Sequence, residues 1–161
     1  MVGLAACSPT EPTASTEPSA NTPTTVSSPN SSQKAGVPKL YAKDGVAIEG
    51  ADPVAYFTDE AFVPGVADYT YEWQGATWQF ASAENRDQFI SNPAQYAPQY
   101  GGFCAWAVAA KNALVPIDPN AWSVVDGKLY LNANQNVQRN WQKDISGFIA
   151  KANENWPVLS Q

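Results

Sequence analysis

The chain has 161 residues, with 15 acidic against nine basic side chains, a formal net charge of −6 and no histidine. The basic residues are scattered, so the clustered positive charge that releases counterions from phosphates is missing and nucleic acid is excluded as a partner. Without histidine there is no Ser-His-Asp or Cys-His machinery and no imidazole to hold zinc or haem, and no run of about 18 apolar residues exists to span a bilayer.

Residues 1–7 end in Leu4-Ala5-Ala6-Cys7. This run resembles a bacterial lipobox, in which small residues precede a cysteine whose thiol takes a lipid after signal cleavage. Residues 8–36 read SPTEPTASTEPSANTPTTVSSPNSSQKAG, with one valine as the only large apolar side chain. Such a stretch buries too little surface to offset chain entropy, and a disordered Pro/Ser/Thr-rich linker is expected. On this layout residues 1–7 are a signal remnant and Cys7 is the lipidation site. The chain is then exported, to the periplasm or cell surface, and reaches a membrane through its lipid.

Residues 37–161 form the globular zone, with all six tryptophans and all seven tyrosines. Lys43-Asp44-Gly45 is predicted to turn a hairpin between Leu40-Tyr41 and Val46–Ile48, and Gln74-Gly75 a second one within residues 70–80. Tyr71, Trp73, Trp78 and Phe80 are its ring-bearing positions. Ser82 is placed to cap a helix running to Asn92 and stopped by Pro93, with Phe89 and Ile90 on its apolar side. Residues 101–110, GGFCAWAVAA, suit a buried helix. Asp126-Gly127 between Trp122–Val125 and Lys128–Leu131 is the strongest hairpin signal. Val137, Trp141, Ile145, Phe148 and Ile149 recur at helical spacing, which predicts one amphipathic helix over 137–152. The expected class is α+β: a single domain in which a small antiparallel sheet of hairpins packs against about three helices.

Several segments carry a resemblance. They are GADPVAYF (50–57), GATWQFASAENR (75–86), NPAQYAPQYGGFCA (92–105) and DGKLYLN (126–132), with Asn155-Trp156-Pro157 near the end. Together these resemble the YHS-domain family, related to the TRASH domains, in an exported lipoprotein branch. The resemblance implies metal binding through three cysteines, since soft thiolates select zinc or copper(I) and residues four apart share a helix face. Carried over position by position, the three cysteines fall on Ala55, Ala81 and Asn85, so all three ligands are absent and no metal site or cofactor is expected. Asp52, Asp59 and Glu60 offer a hard cation only a loose oxygen set, and read as solvated carboxylates.

Asp52, ahead of a proline, is suited to cap the turn or helix at 53–57 through backbone N–H groups; the rival reading places it in a pocket with Tyr56 and Tyr100. Cys104, among glycines, alanine and aromatic residues, reads as a buried small hydrophobe, with a redox thiol as its rival. A candidate ligand pocket is drawn from Asp52, Tyr56, Tyr100, Cys104 and Trp106, while Trp78 and Trp141 belong to the core. No carboxylate pair or other constellation supports catalysis. The expected function is a non-catalytic envelope lipoprotein with a binding or interaction domain for a small ligand or an envelope protein. Metal handling and thiol redox chemistry at Cys104 are the alternatives.

Overall fold

A computed structural model describes residues 39–161. Cys7, the linker at 8–36 and the first two residues of the globular zone lie outside the described residues.

Three tight turns set the strands. Asp44 (φ 53°) and Gly45 (φ 83°) both take the left-handed backbone that a two-residue hairpin turn requires. They join β1 (Ala42–Lys43) to β2 (Val46–Ala47). Leu40-Tyr41 lie before this ladder, and Ile48 is buried in a tight turn, Ile48–Gly50, rather than continuing the strand. Gln74-Gly75 joins β3 (Val66–Trp73) to β4 (Ala76–Phe80), pairing Tyr71 with Trp78 and Trp73 with Ala76. Along β4 the side chains alternate, so Ala76, Trp78 and Phe80 all enter the core. Asp126-Gly127 turns β5 (Asp118–Val125) into β6 (Lys128–Asn132).

Two small sheets result. The first has the order β1-β2-β4-β3, and β5-β6 stand apart as the second. The antiparallel expectation fails at one seam, because β2 runs parallel to β4 through Val46 and Thr77. The Gly45 carbonyl accepts the Thr77 N–H at 2.9 Å, which lays the two hairpins side by side with these strands pointing the same way.

Six α-helices are present among the described residues, more than the sequence suggested: α1 (Ala55–Thr58), α2 (Ala83–Ser91), α3 (Pro93–Tyr96), α4 (Ala105–Lys111), α5 (Gln135–Trp141) and α6 (Ile145–Leu159). Ser82 caps α2 as predicted, its hydroxyl accepting the Asn85 N–H at 3.1 Å. The helix expected over 101–110 starts only at Ala105. Tyr100 (φ 56°) and Gly101 (φ 58°) are left-handed inside a tight turn, Gln99–Gly102. A Cβ on Gly101 would collide with the Lys39 carbonyl oxygen, and the Gly101 carbonyl takes the Tyr41 N–H at 2.7 Å.

The single helix expected over 137–152 is two helices. Asp144 is non-helical (φ −154°, ψ 65°) and caps α6 by accepting the Gly147 N–H at 3.0 Å. Trp78, Phe80, Phe89, Ile48, Val54 and Leu131 lie at the centre of the larger core cluster. Tyr100, Val108, Tyr130, Trp141 and Ala152 form a second, under α4 and α6. Trp78 and Trp141 are fully buried, as expected. At about 25 cal/mol per Å² over roughly 200 Å² of ring, each contributes about 5 kcal/mol of apolar burial.

Candidate functional site

Asp52 is completely buried, not solvated. Pro53 holds it extended, and its own N–H donates to Val63 O at 2.9 Å. One carboxylate oxygen accepts the Val54 N–H at 2.8 Å and, more weakly, the Ala55 N–H at 3.4 Å, which is the capping role read from the sequence. The other accepts the Ala81 N–H at 2.8 Å and the Asn85 side-chain amide at 2.7 Å. One side chain thus ties the start of α1 to the end of β4 and the first turn of α2.

Ala55, Ala81 and Asn85, the positions on which the resemblance places the family's cysteines, are three of these four donors. The three-cysteine site that the resemblance implies would put anionic sulfurs at this centre. This centre holds instead a carboxylate ringed by N–H groups, whose positive ends face inward. The residues present therefore do not fit the metal. Among the described residues there is also no group of three or more Cys, Asp or Glu that could hold an ion elsewhere.

The remaining candidates lie in separate surroundings. Cys104 is fully buried, receives the Ala133 N–H on its sulfur at 3.3 Å and faces the Asn132 side-chain oxygen at 3.9 Å. Burial pushes its thiol pKa up, against weaker lowering by backbone hydrogen bonds from Ala107, Ala133 and Trp106. A nucleophilic or redox thiol needs access and a lowered pKa, and Cys104 has neither. Trp106 is half-buried, its N–H near the same Asn132 oxygen at 3.4 Å and its ring under the Lys111 ammonium at 5.6 Å.

Tyr100 belongs to the second core cluster and donates to the Asn153 side-chain oxygen at 3.0 Å. It borders a cavity of about 210 Å³ with Trp73, Pro98 and Trp156. The five residues thus fall into three places. Asp52 adjoins Tyr56, Cys104 adjoins Trp106, and Tyr100 stands apart in the other cluster. Asp52 and Cys104 spend their polar atoms on internal partners and present no surface to a ligand.

Tyr56 leads to the larger of the two clefts that these residues line, about 400 Å³ against about 210 Å³ at Tyr100. Its hydroxyl donates to Pro119 O at 2.8 Å, and its ring tilts against Trp122 with centroids 5.3 Å apart. Burial raises the phenol pKa, reinforced by the negative charges of Asp118 and Asp52. Tyr56, Phe57 and Glu60 from α1 and its following loop face Trp122 and Val124 of β5 across a cleft of about 400 Å³. Phe57 is braced edge-on by Tyr96 at 5.6 Å. Glu60 is exposed, in left-handed backbone (φ 50°), and makes no ion pair or side-chain hydrogen bond among the described residues.

Sequence reasoning missed Glu60 as a wall residue. The alternation Trp122-x-Val124 on a strand was the available signal for one wall; the meeting of that strand with α1 is a tertiary event that no local pattern reports.

Residues 54–100 match the family model described as YHS domain. No curated protein and no solved structure matches the chain. The matched segment covers α1 through the turn at Tyr100, including the three positions around Asp52, while Trp122 and Val124 lie beyond it. The similarity to the YHS domain is therefore confined to residues 54–100.

Proposed function

We propose that the chain is a non-catalytic binding module, exported and held at a membrane by a lipid on Cys7, with its ligand site in the cleft between α1 and β5. The observation that carries the binding reading is the inward turn of Ala55, Ala81 and Asn85 onto Asp52. The YHS segment then has no thiolate centre to offer a metal. An aromatic surface open to a ligand is formed by the half-buried Phe57 and Trp122, with the buried Tyr56 ring behind them. Concave, mostly apolar pockets with a few polar groups are the usual places for small ligands. The Leu4-Ala5-Ala6-Cys7 run, followed directly by the Pro/Ser/Thr-rich segment at 8–36, supports the anchor at Cys7; among the described residues no helix is long and apolar enough to cross a membrane.

Two experiments test this. Cells expressing the wild type or Cys7→Ala are fed labelled palmitate; label in the wild type alone is expected, and equal incorporation would end the anchor assignment. The purified full chain is screened by thermal shift against envelope metabolites, alongside the cleft-filling variant Val124→Trp. Hits that vanish in the variant support the cleft, and hits that persist remove it. Elemental analysis after incubation with copper, zinc and iron is expected to find no stoichiometric metal; finding it would restore the family's metal function.

A further inference from the structure

We infer that the cleft between α1 and β5 selects an organic cation, a ligand bearing a methylated or alkylated ammonium group. This deepens the binding-module reading and rests on it. Two half-buried rings, Trp122 and Phe57, border the space, and the buried Tyr56 ring backs Trp122 at 5.3 Å. A ring face is negative, and Trp presents the strongest such face to a cation.

The one charged residue lining the cleft is Glu60, which has no cationic partner among the described residues. Asp118, on the strand that supplies the opposite wall, adds negative potential felt at Tyr56. Among the described residues no lysine or arginine lines the cleft. An anionic ligand therefore meets a carboxylate with nothing to neutralise it, and a neutral apolar ligand leaves that carboxylate unused. An alkylammonium uses both features at once, its methyl groups against the rings and its charge beside Glu60. A bare metal ion is disfavoured, because one carboxylate is far short of the six to eight oxygens a hard cation takes.

The test uses the full chain and two probes of nearly the same shape: choline, and its neutral carbon isostere 3,3-dimethyl-1-butanol. Both are titrated at constant ionic strength and followed by the Trp122 indole and Phe57 and Val124 amide signals in NMR. Choline is expected to shift these signals saturably, and to bind about three- to thirtyfold more tightly than the isostere, the range cation–π contacts span from exposed to desolvated settings. Glu60→Gln alters an exposed side chain without changing its shape, so it should fold normally and weaken choline several-fold, leaving the isostere unchanged.

Equal binding of the two probes would overturn the cation assignment, yet leave a working cleft and so the binding-module reading. Shifts unaffected by Glu60→Gln would overturn the role of that carboxylate. If neither probe moves the cleft signals while the thermal-shift screen still yields hits lost in Val124→Trp, the inference fails alone. If the screen is also empty, the binding reading fails with it.

Discussion

Replacing Asp52 by asparagine keeps the shape of the hub and inverts half of its polarity. The wild-type carboxylate accepts from Val54 and Ala55 on one oxygen and from Ala81 and Asn85 on the other. An amide has one acceptor oxygen, so its NH₂ must face two donors whichever way it is turned. Hydrogen bonds to a charged group contribute about 1.5–3 kcal/mol each, so losing two costs about 3–6 kcal/mol. The lower end applies where the amide keeps Ala81 and Asn85, because the bond from Ala55 is already long at 3.4 Å. For a domain spanning residues 39–161, an unfolding entropy of about 2.1 cal/mol/K per residue converts that loss into a fall in Tm of about 12–23 °C.

Thermal and urea unfolding of the full chain, followed by tryptophan fluorescence, give the number. Adding Asn85→Asp to Asp52→Asn lets the new amide donate to a carboxylate, and should recover at least about 1 kcal/mol relative to the additive sum. A loss below about 1 kcal/mol for Asp52→Asn, or strict additivity in the double variant, would refute the hub.

Three further outcomes are expected. In a Cys7→Ser chain, Cys104 should resist a water-soluble disulfide reagent until denaturant is added, because it is fully buried with a raised thiol pKa; labelling at a free-thiol rate would contradict that burial. Tyr41 is pushed up to about 12, first by burial and then by its hydrogen bond to Glu49 and that carboxylate's charge. The folded state then holds a proton that the unfolded chain releases near pH 10, so this contribution to stability is whole below about pH 10 and lost between about 10 and 12. Phenolate absorbance at 295 nm should show it, and alkaline unfolding of Tyr41→Phe should lack that portion. Gly101→Ala should lower Tm more than Gly127→Ala. Both glycines are left-handed, at a cost of about 1–2 kcal/mol for an L-residue, but only at Gly101 does the new Cβ meet a backbone carbonyl. Equal effects would count against the close approach to Lys39.

What could be read from the residues divides by the range of the interaction that decides it. The three turns and the cap at Ser82 rest on dipeptides and a hydroxyl that act within three or four residues, and they stand where the sequence puts them, although Lys43 belongs to a strand and the first ladder is Ala42–Lys43 with Val46–Ala47. The break at Asp144 was hidden because Val137, Trp141, Ile145, Phe148 and Ile149 keep their helical spacing across it; the signal was the aspartate three residues ahead of Gly147. The parallel seam between β2 and β4 joins residues 31 apart in sequence, Val46 and Thr77, and leaves no mark in either hairpin.

Asp52 shows the same limit at the site. Its capping of α1 is local and legible, whereas its bonds to Ala81 and Asn85 require α2 to be folded against it. Cys104 was legible as core from its apolar neighbours. The pocket drawn around it was not, because Tyr100 is committed to a cluster built by α4 and α6.

The close passage of Lys39 over Gly101 has a mechanical consequence. Any tension on the chain ahead of residue 39 enters the described domain there. It meets the Tyr41–Gly101 hydrogen bond and the buried Tyr41 ring before it meets β1. Gly101 in turn sits beside Trp156 of α6, so the first load is shared with the C-terminal helix rather than with the short edge strand. The two-residue ladder of β1 is thereby shielded from a pull that it could not resist alone.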